Sequence, residues 1–307
     1  MGYGIYKLCF PYGVHFGRNS LESGEYTFCA DTLFSALCQE AVKENTLDLL
    51  LSYVRNGKML LSDAFPYKED EYFLPKPFLY IEHREREGDS RTKKIYKKMK
   101  YIPSSMFEMY LKGELSSESA ETFRDFGFLY RKTSVSIRGE KEPVPYRVGV
   151  YYYYEGNGVY FIIGTENMEI SYYFEKLLFA LSCDGIGGKR SSGLGRFQFE
   201  RIEMPKYLND HICGGKSDRY MTLSVSLPRE PEIVQALDGA QYKIMKRSGF
   251  VASEKYADEW RRKKDMYVFA AGSCFRNPFF GDVYDVSSQG EHAVYRYAVP
   301  MFMGVDV

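Results

Sequence analysis

Residues 185–197 read G-I-G-G-K-R-S-S-G-L-G-R-F. Gly185, Gly187, Gly188, Gly193 and Gly195 are set around Lys189, Arg190, Ser191, Ser192 and Arg196. Glycine takes φ > 0 freely and lets a backbone N–H approach another group closely. Lysine and arginine bring charge, and hydroxyls bring donors. Phe174, Leu177, Leu178 and Leu181 recur at core spacing and predict a helix over 171–183, which Gly185 would stop. Residues 197–202 read as a strand. The loop thus runs from a helix end into a strand, the reverse of the G-x-G-x-x-G order that cradles a dinucleotide. Lys189 is followed by Arg190 rather than Ser or Thr, so the Walker A pattern is also missed. A cationic, backbone-accessible loop in this position favours an extended phosphate backbone over a mononucleotide. The bland alternative is a surface connection with solubilising charge.

The rest of the chain limits what such a loop can serve. Lys+Arg and Asp+Glu are both 41, for a formal net charge of 0 over 307 residues. A polyanion site must therefore be local. No apolar run approaches the roughly 18 residues of a membrane span. The first ten residues read as a strand rather than a signal core, so the cytoplasm is the expected location. Cys9, Cys29, Cys38, Cys183, Cys213 and Cys274 contain no C-x-x-C pair and are expected as buried thiols. His211 and Cys213 are neighbours with nothing to complete a zinc set, so neither metal nor cofactor is expected. Aromatic residues make up 17%. Most belong in a core, and some are candidates to stack on bases.

Element by element, residues 3–10 alternate as a strand and 11–26 read as a loop. Leu33, Phe34, Leu37, Ala41 and Val42 predict a helix capped at or near Asp31. A short helix over 47–55 and a strand over 58–63 follow, then an extended segment marked by Pro66, Pro75 and Pro77. Arg91, Lys93, Lys94, Lys97, Lys98 and Lys100 make a basic run with no acid between them, read as a solvated insertion or a contact that orders on binding. Residues 103–128 look helical. Residues 131–138 alternate as an exposed strand turned at 139–140. Residues 147–154 and 159–164 read as a hairpin around Gly156, Asn157 and Gly158. The order β-α-β, insertion, β-β, α, glycine loop, β is a ferredoxin-like pattern. The expectation is an α+β chain of two ferredoxin-like (RRM-like) domains. The first, 1–205, carries a long insertion over about 64–146 and the glycine-rich loop. The second, 206–307, is more β-rich, with strands at 221–227, 241–246, 266–271, 281–286 and 295–303, one helix at 231–237, and a junction at 206–216.

A glycine-rich loop between the last helix and last strand of such a domain resembles the RAMP superfamily of CRISPR-associated RNA-binding proteins. Further blocks narrow the resemblance: G-V-H-F-G from Gly13 with A-D-T-L-F-S-A-L-C from Ala30, S-D-A-F-P-Y from Ser62 with Y-F-L-P-K-P from Tyr72, and G-D-V-Y-D-V-S-S from Gly281 with H-A-V-Y-R-Y-A-V-P-M-F-M-G-V from His292. Together with the glycine loop they are similar to the fourth subunit of the type III-A Csm effector complex. The resemblance implies a non-catalytic subunit that holds the 5′ handle of the CRISPR RNA. It also implies a bridge between the large polymerase-like subunit and the repeating backbone subunit, in antiviral defence, and contact with target RNA through the guide. Its RNA-binding positions fall on Gly187, Gly188, Lys189, Arg190, Ser191, Ser192, Gly193 and Gly195, and on His15, Gly17 and Arg18 after the first strand; as an RNA holder the chain would seat phosphates on the glycine-loop amides and on Lys189, Arg190 and Arg196. A protruding thumb hairpin falls on 132–146, with Lys132, Ser134, Ser136, Arg138 and Lys141.

The competing class is a metal-independent endoribonuclease that matures CRISPR RNA. That chemistry needs a general base or acid beside a 2′-OH and cations for the charged transition state. His15 is the one attractive base, and its alternative role is a hydrogen-bonding or RNA-contacting loop residue. The backbone subunits of these complexes cleave target RNA with an Asp in the loop after the first strand. This chain has Glu22 and Glu25 there and no Asp before Asp31, which weighs against target cleavage. A nucleotide-binding enzyme is weaker still, since both phosphate fingerprints are missed.

Overall fold

The computed structural model describes residues 1–18, 20–81, 98–115, 125–136, 142–213, 216–253, 256–257 and 261–306. The first half begins with β1 (Gly2–Cys9), β2 (Phe16–Arg18), β3 (Ser20–Glu25), α1 (Ala30–Lys43) and α2 (Leu47–Arg55). Next come β4 (Met59–Leu61), β5 (Phe65–Lys68), β6 (Glu71–Pro75), β7 (Tyr101–Pro103) and the one-turn α3 (Phe107–Leu111). It closes with β8 (Gly127–Ser136), β9 (Val144–Tyr153), β10 (Asn157–Thr165), α4 (Met168–Asp184) and β11 (Gln198–Ile202).

The main sheet runs β11-β1-β10-β5-β6-β7, with β4 also on β10. Every pairing in it is antiparallel. β10 has β4 and β5 on one edge because the chain breaks pairing at Ser62. There the Ser62 hydroxyl accepts from the Ile162 N–H at 2.8 Å, and the Ser62 N–H donates to the Ile162 carbonyl at 2.9 Å. Residues 65–75 and 101–103, expected inside an insertion, extend this sheet.

The expected hairpin of 147–154 with 159–164 does not form. β10 lies between β1 and the β4–β5 edge, so its hydrogen-bonding groups are taken on both sides. β9 instead pairs along its whole length with β8, from Gly127 opposite Tyr153 to Ser136 opposite Val144. The expected loop over 11–26 contains the β2–β3 hairpin. Residues 103–128 hold only a 3₁₀ turn and α3 as helix among those described.

The second half contains α5 (Lys206–Cys213), β12 (Arg219–Thr222), α6 (Ile233–Leu237), β13 (Ile244–Arg247) and β14 (Met266–Phe269). It ends with β15 (Cys274–Phe275), β16 (Asp282–Asp285), β17 (Tyr295–Ala298) and β18 (Phe302–Val305). The expected strands are present but shorter, and the one expected over 295–303 is split at Val299–Met301 around Pro300. The junction expected at 206–216 is largely helix. Described ladders are β15-β12-β18, β13-β14 and β16-β17.

Alternation along β1 and β10 separates two buried clusters. Tyr6, Leu8, Val159, Phe161 and Ile163 pack with Phe34, Leu37, Phe174, Leu177 and Leu181 of α1 and α4. Ile5, Tyr160 and Ile162 face the other way, onto Met221, Leu223, Met301, Met303 and Val305. The 292–305 block is thus mainly buried strand. β10 is buried at every position, the reading of a strand covered on both faces. The thiols depart from expectation: of those described, Cys274 is buried, while Cys9 and Cys183 are exposed.

Candidate nucleic-acid interface

An RRM usually presents bases to aromatic side chains on an open sheet face. In this chain the sheet face of Ile5, Tyr160 and Ile162 is covered by the second half, which leaves loops and edges as the candidate surface. The glycine loop is such an edge. α4 begins at Asn167, whose side-chain oxygen accepts from the Ile170 N–H at 3.0 Å, and ends at Gly185 with φ +84°. Three backbone bonds then pin the loop. Ile186 N–H donates to Gly195 O at 2.9 Å, Gly188 N–H to His15 O at 2.9 Å, and Gly195 N–H to Gly13 O at 3.0 Å. Gly195 has φ +79°, and a Cβ there would sit 2.1 Å from the Ile186 carbonyl oxygen. Between the pins, Lys189 adopts a left-handed φ of 60° and starts a 3₁₀ turn over Arg190–Ser192. Ser191, Ser192 and Arg196 are exposed, and Lys189 and Arg190 are half-buried. The Gly188 and Gly195 amides therefore bond protein carbonyls, the Ser192 hydroxyl donates to the Lys189 carbonyl at 2.8 Å, and Ser191 and Arg196 are the groups turned toward solvent.

Of the roles expected for His15, the structure shows the hydrogen-bonding one. The residue is 5% exposed. Its Nδ1 lies 2.7 Å from the Gly149 carbonyl, which can only accept, so Nδ1 carries the proton. The ring supports the glycine loop from below and holds β9 to the segment after β1. Gly17 is exposed beside it. Arg18 ends β2. The sequence placed His15 near the loop correctly; its burial follows from the β3–β9 packing, which local pattern does not show.

The β8–β9 ribbon is longer than the expected thumb. Lys132 is exposed and pairs across from Val148, and Ser134 pairs across from Tyr146. Arg138 and Lys141 lie outside the described residues. Val148 and Val150 pack on Leu194 of the glycine loop. Lys189 Nζ stands 4.6 Å over the Tyr146 ring and 3.4 Å from its hydroxyl. Farther along the same face, Phe128 stacks on Tyr152 at 5.6 Å and lies 6.0 Å from Tyr154. Phe128 and Tyr154 are exposed at 49% and 44%. These aromatic residues were hidden among 28 tyrosines and 22 phenylalanines in the sequence; only the ribbon pairing singles them out.

The other side of the loop meets a polar cluster between the two halves. Asp31, expected as a helix cap, lies in the first turn of α1, and its carboxylate takes Arg247 in a fork at 2.6 and 2.9 Å and Arg296 at 2.8 Å. Burial would raise its pKa; Arg247 and Arg296 overcome this and hold it below the ordinary carboxylate range. The start of α1 is served instead by Asp63, which accepts from the N–H groups of Ala30 at 2.8 Å and Val225 at 2.9 Å. Burial pushes Asp63 up to about 7 in spite of those two donors. Arg190 reaches into this region, donating to Gln39 Oε1 at 2.8 Å. Among the described residues no three His, Cys, Asp or Glu side chains form a metal set, and no helix is long and apolar enough to cross a membrane.

Residues 215–305 match the family described as CRISPR Csm4 C-terminal domain. The CRISPR system Cms protein Csm4 of Mycobacterium tuberculosis is 38% identical over 294 residues, covering 95% of this chain and 94% of that protein. The crystal structure of a Csm3-Csm4 subcomplex of the type III-A CRISPR-Cas interference complex superposes with a TM-score of 0.67 at 19% identity, over 100% of both chains. A Csm1-Csm4 cassette in complex with cA4 gives 0.61 at 20% identity, over 100% of this chain and 99% of the other. The chain belongs to the Csm4 family of CRISPR proteins.

Proposed function

We propose that this chain is a non-catalytic RNA-holding subunit of a type III-A CRISPR effector complex working in the cytoplasm. The glycine loop takes phosphates of the 5′ handle of the CRISPR RNA. The observation that carries this reading is a loop pinned by backbone bonds that presents exposed Ser191 and Arg196 between half-buried Lys189 and Arg190. A preset turn of that kind fixes the register of a sugar–phosphate chain without reading sequence. Lys189, Arg190 and Arg196 supply charge, Ser191 a donor, Ser192 holds the turn by donating to the Lys189 carbonyl, and Lys132 and Ser134 continue the path onto the ribbon. His15 and Gly17 act from beneath as supports of the loop. Phe128, Tyr152 and Tyr154 offer rings to unstacked bases, where each stack is worth about 1–3 kcal/mol. The ribbon is the thumb of this reading, and it meets the guide–target duplex.

The order β11-β1-β10-β4 with α1 and α4 on one face supports an RRM-like domain over 1–205. Residues 206–307 form its degenerate, β-rich counterpart. The Csm3-Csm4 subcomplex and the Csm1-Csm4 cassette support two protein partners, a backbone subunit and a large subunit, which this chain bridges. Endoribonuclease chemistry at His15 is not part of the reading, because a ring 5% exposed and bonded to Gly149 is poorly set to take a proton from RNA.

The test is retention of handle-containing RNA by the full chain across a salt series. Removing two phosphate contacts in the Lys189→Ala/Arg190→Ala variant should flatten the slope of log K against log salt by about 1.4. Affinity should fall about tenfold or more, as charged hydrogen bonds are worth about 1.5–3 kcal/mol each. An unchanged slope and affinity would remove the loop from the interface.

A further inference from the structure

Beside the glycine loop lies a cavity of about 260 Å³ whose wall is shared by Arg190 and Gly187 of the loop, α1, and Arg247, Lys263 and Arg296 of the second half. Among its lining residues are four cations and one carboxylate, Asp31. That carboxylate is already taken by the Arg247 fork and by Arg296. Among the described residues Lys263 reaches the Ser35 hydroxyl, at 3.2 Å, and Arg190 the amide oxygen of Gln39. Arg296 is 4% exposed, and its Nε–H has no hydrogen-bond partner among the described residues. A buried guanidinium donor without an acceptor is expensive to maintain. Among the described residues the surrounding charge does not repair the shortage. Asp265, which also faces Arg296, is paired with Lys246 at 2.7 Å. Asp63 is held by two backbone N–H groups and is pushed toward its neutral form. Burial lowers the Lys263 ammonium pKa and Arg296 lowers it further, as expected where cations crowd without enough anions.

We propose that this cavity is an anion site that takes one phosphate of the bound RNA chain, with Lys263, Arg190 and Arg296 as its donors. The volume equals that of roughly nine waters, which leaves room for a phosphodiester and part of its hydration. The position suits the ligand: the RNA path over the glycine loop passes Arg190, which stands on the shared wall. The inference rests on the proposed RNA-holding function and adds to it a phosphate gripped jointly by both halves of the chain. Closing the cavity with an RNA phosphate would couple guide binding to the packing of α1 against β13 and β17.

The experiment uses the full chain and handle-containing RNAs in which one phosphate at a time is replaced by a neutral methylphosphonate. In the unsubstituted protein, one linkage should cost about three- to tenfold more affinity than its neighbours. In Lys263→Gln that same linkage should become silent, with overall affinity down by a similar factor; Lys263→Arg should restore the profile and guards against a folding artefact. Parallel profiles for Lys263→Gln and the parent, with normal weakening by Lys189→Ala/Arg190→Ala, would overturn the cavity site and leave the loop reading intact. If neither set of variants weakens RNA binding, the RNA-holding function falls with it. Unchanged RNA affinity with lost assembly in Lys263→Gln would assign the cavity to an acidic partner segment and overturn the proposal.

Discussion

Gly195→Ala and Gly193→Ala form a matched pair that tests how the glycine loop is built. Both positions have positive φ, +79° and +86°, so both substitutions pay a left-handed penalty of about 1–2 kcal/mol. Both regain about 0.4–1 kcal/mol by restricting the unfolded chain. Their surroundings differ. A Cβ at Gly193 meets nothing within 4 Å, whereas one at Gly195 sits 2.1 Å from the Ile186 oxygen and 3.0 Å from its carbon. Backbone cannot rotate away as a side chain can. The turn has to open, losing the Ile186 N–H to Gly195 O bond and the Gly195 N–H to Gly13 O bond, about 1 kcal/mol each. Gly195→Ala should therefore destabilise by about 3 kcal/mol and Gly193→Ala by about 1 kcal/mol or less. Urea unfolding followed by intrinsic fluorescence reads the difference. With a slope of about 3 kcal/mol per molar, the midpoint should drop by about 1 M for Gly195→Ala and about 0.3 M for Gly193→Ala. Gly195→Ala should also lose RNA retention at a temperature where it remains folded. Equal midpoints for the two variants would refute the claim that the loop is pinned at Gly195.

Asp31→Ala should cost about 3–5 kcal/mol in chemical denaturation, because it strands Arg247 and Arg296 without their carboxylate; a loss under 1 kcal/mol would show the pair to be dispensable. Asp63 sets a pH dependence of definite sign. Its folded pKa is raised from about 3.9 to about 7, so the folded state holds the proton more tightly and stability declines as pH climbs from about 4 to 7. The loss reaches up to about 4 kcal/mol, and Asp63→Asn should flatten the profile of unfolding free energy between pH 5 and 8; an identical profile in the variant would count against the assignment. His15→Ala should reduce stability by about 2 kcal/mol through the unpaired Gly149 carbonyl. It should leave incubated repeat RNA as intact as the parent protein does, so a discrete cleavage product present only with His15 intact would reverse the support role given to that ring.

Local pattern carried much of the frame. The spacing of Phe174, Leu177, Leu178 and Leu181, with Gly185 behind them, marks α4 and its end, because a helix face and a C-terminal glycine are encoded within a few residues. The cations and glycines of 185–197 likewise announce a loop in sequence, and β1 and α1 lie close to their expected bounds. Strand partnership was not available in the same way. Residues 147–153 alternate equally well for a hairpin with β10 or a ribbon with β8. The choice falls to β8 because β10 is already bonded to β1 and to the β4–β5 edge.

Side-chain partners at long separation were equally hidden. Asp31 in the first turn of α1 looks like a cap until Arg247 and Arg296 arrive from 216 and 265 residues away. His15 could serve as base, hydrogen-bonding residue or RNA contact until Gly149 comes across 134 residues to bond it. The composition of the glycine loop is therefore a property of adjacent residues, written in the chain. The carbonyls that pin it, the aromatic ribbon that flanks it and the cationic cavity behind it exist only once distant segments pack, because hydrogen bonds and charge pairs of that kind depend on distance in space rather than along the sequence.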